Sequence, residues 1–216
     1  MGIVKRGALI VIEGVDRSGK STQCKRLVSS LKEKNIPAEL MCFPDRTTST
    51  GKLISEYLRN KECKLNDQTI HLLFSANRWE NFDKMKSLLC NGTNIIVDRY
   101  SYSGIAFSSA KNNMDLEWCK SPENGLLKPD LVFLLTLSQE EASKRPGFGD
   151  ERYEEKSMQA KVSEKFLKLV DEKDNWQVVD ASGTLDEVQD VLVESTLAKL
   201  EKVSSSPLQY FCFQTK

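Results

Sequence analysis

The octapeptide Gly14-Val15-Asp16-Arg17-Ser18-Gly19-Lys20-Ser21 has the spacing of a phosphate-binding loop, GxxxxGKS. Its glycines let backbone N–H groups converge on anionic oxygens, Lys20 reaches the outer phosphates, and the Ser21 hydroxyl faces a magnesium ion. Val15, Ser18 and Thr22 complete the cradle. Arg17, inside that loop, is the sharpest detail. In a phosphoryl transfer, charge spreads over the oxygens of the migrating group, and an arginine placed there lowers the barrier. An acceptor that is itself a phosphate needs no general base, which a hydroxyl acceptor would want. Asp16 can orient Arg17, bind a sugar hydroxyl, or simply shape the loop.

Three further constellations fit a second phosphate and a base. Asp98 stands at the carboxyl end of an apolar run, where open α/β sheets place ligands; it reads either as a helix N-cap or as a water-mediated magnesium site. Arg99 follows it, and Phe43-Pro44-Asp45-Arg46 brings another arginine to the same edge. Alone, Arg46 is more often a solvated loop charge; with Arg99 and the loop it becomes part of a phosphate grip. Phe74 and Arg78 are four apart on a helical pattern and share a face. They can stack a base and bond its edge, although most helical phenylalanines are core.

These residues need a scaffold that brings strand ends together. Short apolar runs alternate with helix-length segments, predicting βαβ units and a parallel sheet covered by helices. Strands are expected at Ala8–Glu13, Ala38–Phe43, Asn94–Asp98, Leu131–Leu137 and Trp176–Asp180. Helices are expected at Gly19 to about Lys34, with Leu27 and Leu31 on one face, at about Asp67–Leu89, and at Thr184 to about Val203. The long middle helix is apolar on more than one side, which fits either a central core helix or one that also meets a second subunit. Pro146-Gly147-Phe148-Gly149-Asp150-Glu151-Arg152-Tyr153-Glu154 separates two helical patterns and reads as a lid or as a surface turn. The tail bearing Tyr210, Phe211 and Phe213 is expected to pack back on the body.

Length and charge narrow the partners. The 216 residues fit one domain, with the phosphate loop at 14–21, an acceptor region at about 43–60 and a lid at about 144–156. Thirty-one basic side chains offset thirty-one acidic ones, so no net field recruits nucleic acid or an anionic membrane. The six cysteines lack C-x-x-C spacing and, with one histidine, make no zinc set, so reduced thiols are expected. Residues 1–6 lead straight into the first strand, leaving no room for a leader; cytoplasmic residence is expected, with the nucleus equally open.

The strings GVDRSGKST, FPDR, LLFSANRWE, DRYSYSGIAFSSAK, KPD, GFGDERYE and VDAS together resemble thymidylate kinases of the eukaryotic type, over nearly the whole chain. GxxxxGKS is shared with many phosphate-loop proteins, whereas DRxGKST joined to FPxR, FSANRWE and DRYxYSGxAF is close to diagnostic. The resemblance implies transfer of the γ-phosphoryl of MgATP to dTMP within dTTP synthesis. It also implies a P-loop nucleoside-monophosphate kinase fold with a five-stranded parallel sheet of order 2-3-1-4-5, and a homodimer. By that likeness Phe74 stacks on thymine, Arg78 and Ser108 meet its edge, and Arg46 and Arg99 grip the dTMP phosphate. Asp16 meets the 3′-hydroxyl, while Phe43, Leu58, Gly104 and Phe107 wall the pocket. Tyr100, Tyr102 or Tyr153 crowds a 2′-hydroxyl. Lys20, Arg17 and the loop amides hold ATP, Arg145 lies over adenine, Ala181 borders it, and Ser21 with Asp98 serves Mg2+. The chain departs from the family's usual pattern at Asp45, Pro146 and Gly183, where glutamate, a freer lid entry and lysine are common. A GTPase switch would need an Asn-Lys-x-Asp signature, but Asn60-Lys61-Glu62-Cys63 ends in Cys. The other readings are a kinase for another pyrimidine monophosphate or for a nucleoside, and a silent nucleotide-binding module.

Overall fold

The computed structural model describes residues 5–144, 151–171 and 175–213. Five parallel strands, β1 (Leu9–Gly14), β2 (Ala38–Cys42), β3 (Asn94–Asp98), β4 (Leu131–Thr136) and β5 (Trp176–Asp180), form one sheet in the order β2-β3-β1-β4-β5. The family-derived strand order is thus observed. Three predicted strands end one residue away from expectation. β2, for example, stops at Cys42 because Pro44 follows Phe43 and has no N–H for the ladder.

Side-chain alternation builds two cores. Leu9 and Val11 of β1 pack on one face with Ile95, Val97, Val132 and Leu134. Ile10 and Ile12 pack on the other with Ile96, Phe133 and Leu135. The second face is covered by α1 (Lys20–Glu33) and α9 (Leu185–Val203); Leu27 and Leu31 of α1 are fully buried, as their spacing predicts. Thr184 and Glu187 close a reciprocal capping box on α9. Between β2 and β3 lie α2 (Ser49–Arg59), α3 (Asp67–Glu80) and α4 (Phe82–Cys90), and between β3 and β4 lie α5 (Ser101–Ser109) and α6 (Leu116–Lys120). The helices α7 (Gln139–Lys144) and α8 (Lys156–Leu169) flank the proposed lid.

The single helix expected over 67–89 is two helices. Asn81 breaks it: its backbone N–H turns to the Arg78 carbonyl at 3.1 Å, and its side-chain amide takes the Asn77 carbonyl at 3.2 Å. The asparagine thus offers its own side chain in place of the i→i−4 bond. As a result α3 is free to lie against α2 and α5 while α4 packs on β3. The tail returns as expected, through Phe211, which is buried against Tyr100, Tyr102 and Phe213. Tyr210 remains exposed. Among the described residues no helix is long and apolar enough to cross a membrane.

Candidate active site

The phosphate loop leaves β1 at Gly14, where φ is 145° and a Cβ would lie 2.4 Å from the Leu135 carbonyl oxygen. Only glycine fits there. Gly19 (φ 96°) precedes α1 without a side-chain cap, so the first amides of α1 are left for an anion. Lys20 is buried and folds back on the loop, donating to the Val15 carbonyl at 2.6 Å and to Ser18 Oγ at 3.3 Å. Burial, then repulsion from Arg99, brings its ammonium down to about 8. Thr22 is exposed in the first turn of α1.

Arg17 and Arg99 both sit in the left-handed region, at φ 63° and 64°. A non-glycine residue held there costs about 1–3 kcal/mol, a strain that clusters at functional sites. Arg99 is aimed by the turn that joins β3 to α5. Glu13, fully buried, accepts from the Tyr100 and Ser103 amides, each at 2.9 Å, and from the Ser103 hydroxyl, fixing the start of α5. Burial raises the Glu13 carboxyl in spite of these donors. The Arg99 guanidinium pairs with Asp16, donates to the Gly14 carbonyl at 3.2 Å and lies 5.3 Å above the Phe107 ring. Asp16 also accepts from Gln159 Nε2 at 2.6 Å and donates its amide to Gln159 Oε1 at 2.8 Å. Burial works to raise its carboxyl, but Arg99 and Lys20 outweigh it and hold it below the usual value.

Of the residues assigned to the acceptor by resemblance, all but Tyr102 line one cavity of about 320 Å³. These are Asp16, Phe43, Arg46, Leu58, Phe74, Arg78, Arg99, Tyr100, Gly104, Phe107, Ser108 and Tyr153; Ser21 and Asp98 line the same cavity. One end is base-like: Phe74 rests on Ile54, Tyr57, Leu58 and Ile70, with Arg78 one turn away. Arg78 is 2% exposed and its Nε and Nη2 are held by the wholly buried carboxylate of Glu123. Gly104 lets α5 approach that guanidinium, since a Cβ there would meet Nη2 at 2.6 Å. The other end gathers Arg46, Arg99 and the phosphate loop. Arg46 is oriented by Glu151 at 2.7 Å, and Arg17 meets Glu154 at 3.1 Å. Asp45 does not aim Arg46; it shapes its own turn by accepting from the Thr47 amide and hydroxyl.

The turn carrying Glu151 and Glu154 is tied across the cavity. Arg152 Nη2 donates to the Asn60 and Cys63 carbonyls at 2.8 and 2.9 Å, and its guanidinium lies 4.1 Å above the Tyr57 ring. Arg145 and the lid residues 146–150 lie outside the described residues. Of the three tyrosines offered for the 2′-hydroxyl, Tyr100 and Tyr153 line the cavity and Tyr102 does not. Tyr102 is buried 4.5 Å from Trp176 and takes no part in the cavity, because α5 turns it into the core. The Ala181 side chain is 4% exposed and packs with Val179 and Val188. The carboxylates Glu13, Glu123, Glu151 and Glu154, with Gln159, were not singled out by sequence. Glu123 is 45 residues from Arg78, and Glu154 is 137 from Arg17, with no local signal joining either pair.

The donor set fits a magnesium ion. Asp98 Oδ2 accepts the Ser21 hydroxyl, while Oδ1 is buried without a hydrogen-bond partner. A hydroxyl and an orphaned carboxylate oxygen at the mouth of a phosphate loop are hard oxygen donors of the kind Mg2+ takes.

Comparison with known proteins agrees with this geometry. A family model described as thymidylate kinase matches residues 12–192. The chain is 53% identical to the thymidylate kinase of Arabidopsis thaliana over 197 residues, 91% of this chain and 73% of that protein. It is 49% identical to that of Homo sapiens over 187 residues, 86% of this chain and 88% of that one. A solved thymidylate kinase from Candida albicans superposes with a TM-score of 0.88 at 45% identity, covering 96% of this chain and 99% of that structure. From the phosphate loop to the cavity that faces it, this chain belongs to the thymidylate kinase family.

Proposed function

We propose that the chain transfers the γ-phosphoryl group of MgATP to dTMP, giving dTDP and ADP, one phosphorylation short of dTTP. The observation that carries this is a single cavity with a base-shaped end at Phe74 and Arg78 and a cationic end that opens on the phosphate loop. The family to which the chain belongs supports the same ATP-dependent kinase activity. We read the whole chain as one P-loop kinase domain.

In this reading the loop amides and Lys20 hold the ATP phosphates, and Arg46 and Arg99 hold the acceptor phosphate. The phosphate of dTMP is already anionic, so no side chain need remove a proton from it. Arg17 reaches the phosphoryl group between the two nucleotides and meets the charge that develops on its oxygens. Glu151, Glu154 and Asp16 keep the three arginines pointed into the site before ligands arrive, so that little reordering is needed at the moment of transfer. Asp16, held from both sides by Arg99 and Gln159, stands where a ribose 3′-hydroxyl can bond it. The tied turn at 151–154 shuts water out. Ser21 and, through water, Asp98 would hold Mg2+; when bound, the ion neutralises charge on the outer ATP phosphates.

We further read the chain as a homodimer that uses the outer side of α3, where Leu72 and Trp79 are 47% and 40% exposed. All six cysteines are free, which fits a reducing compartment such as cytoplasm or nucleus. An adenosine and a thymidine joined through a polyphosphate chain test the shared cavity. This ligand is expected to compete with both ATP and dTMP and to bind more tightly than either. Competition with ATP alone would separate the two sites and refute the reading.

A further inference from the structure

The chain has one histidine, and the phosphoryl transfer does not use it. His71 lies on α3, one turn before Phe74 and two turns before Arg78, and it is completely buried. Its Nε2 is 3.0 Å from the Cys119 carbonyl oxygen, and its Nδ1 is 2.8 Å from Ser108 Oγ. Ser108, 5% exposed, lines the base end of the cavity.

The hydrogens on this chain of contacts are determined by chemistry. A carbonyl oxygen only accepts, so Nε2 must carry the proton; the other tautomer would set two lone pairs against each other in a fully buried contact. The doubly protonated ring is disfavoured by burial and by the nearby Arg78 guanidinium, which bring the imidazole down to about 4. Nδ1 is therefore a bare acceptor, and Ser108 must donate to it. Ser108 has only one hydrogen. What it turns toward the cavity is lone pair alone. Beside it stands Arg78, which only donates, with Nε and Nη2 already given to Glu123 and Nη1 left for a ligand.

We infer that His71 is the positioning residue that sets which bases the acceptor site takes: by holding the Ser108 proton, it makes Ser108 an obligate acceptor beside the obligate donor Arg78. This rests on the reading of that cavity end as the base site. The complementary edge is a carbonyl next to a ring N–H, as on thymine and uracil. Cytosine presents the reverse, an amino group beside a bare ring nitrogen, and meets donor with donor and acceptor with acceptor. Such mispairing in a buried site is the kind that rejects strongly, because each group left unpaired keeps its desolvation cost.

Two measurements test this. Because His71 is the only histidine, nitrogen NMR of the ring in the free protein is free of assignment ambiguity; the inference requires Nε2–H with Nδ1 bare, and an Nδ1–H ring would overturn it. The second is the ratio of kcat/KM for dUMP over dCMP, two acceptors that differ only at this edge. His71→Gln can keep the bond to Cys119 but loses the Nδ1 acceptor, while His71→Asn places an oxygen near Nδ1. The ratio is expected to fall about tenfold or more in His71→Gln and in Ser108→Ala, and to be largely retained in His71→Asn. A His71 that only supports the fold would lower turnover on both acceptors and leave the ratio unchanged in His71→Gln, and that result would refute the inference. Should His71→Gln fail to fold, an unchanged ratio in Ser108→Ala has the same force. If the wild-type protein itself used dCMP as well as dUMP, the base-site reading would fall and this inference with it. A discriminating wild type with indifferent variants removes His71 alone.

Discussion

At the scale of single residues, the arginines that converge on the cavity and its loop were legible and the carboxylates that hold them were not. Arg17, Arg46 and Arg99 announce themselves by type and by position at strand ends, and all three converge on one cavity or its loop. Their carboxylate partners come from segments far away in the chain, and a glutamate in a turn or a short helix has no local mark that distinguishes a buried anchor from a solvated charge. Glu123 shows this best, being fully buried although nothing in Ser121-Pro122-Glu123 advertises it. Tyr102 shows the converse error: an aromatic next to a site motif turned out to be core. For Arg17 the expected result is asymmetric. Arg17→Ala should lower kcat by about 10³-fold, the size associated with an arginine on the migrating phosphoryl, while equilibrium ATP binding changes several-fold at most. Steady-state kinetics beside an ATP titration check this; a large loss of affinity with normal kcat would restrict Arg17 to ground-state binding.

At the scale of elements, the central strands β1, β3 and β4 were read well because buried parallel strands are nearly continuous apolar runs bounded by turn residues, and the half-exposed edge strands β2 and β5 were found by the spacing that the alternation of strand and helix leaves for them. The long helix was read as one because its apolar pattern continues through the break; the interruption at Asn81 is a local competition between side chain and backbone, and hydrophobic periodicity does not report it. That break lets α3 lean on α5, with Gly104 as the point of closest approach to Arg78. Gly104→Ala should therefore act on the base end. The guanidinium is pinned by Glu123 and has little room to yield, so the KM for dTMP should rise about tenfold or more with the ATP KM near normal. An unchanged dTMP KM would mean that α5 can move away at no cost.

At the scale of the whole molecule, the buried histidine links stability to pH. Its ring is brought to about 4 from an ordinary 6.5 by burial and by Arg78, with Lys111 adding to the repulsion and Glu123 and the Cys119 carbonyl opposing it. Between those values the unfolded chain binds a proton that the folded one refuses, so stability contributed by His71 is complete above pH 6.5 and is lost as pH falls toward 4. Up to about 3 kcal/mol should disappear over that window. Urea unfolding of the wild type and of His71→Phe at pH 7 and pH 4 checks it: the wild type should lose more, and equal losses would contradict the assigned environment. Asp16, held low by its arginine, should release its share only at still lower pH. The fold, the cavity and the family converge on one claim, that this molecule moves a phosphoryl group between two phosphates. The most direct test is phosphorus NMR of the chain with MgATP and either dTMP or thymidine. With dTMP, dTDP and ADP should accumulate in equal amounts, and with thymidine turnover should be far slower. Turnover on thymidine equal to or faster than that on dTMP would contradict the account at its centre.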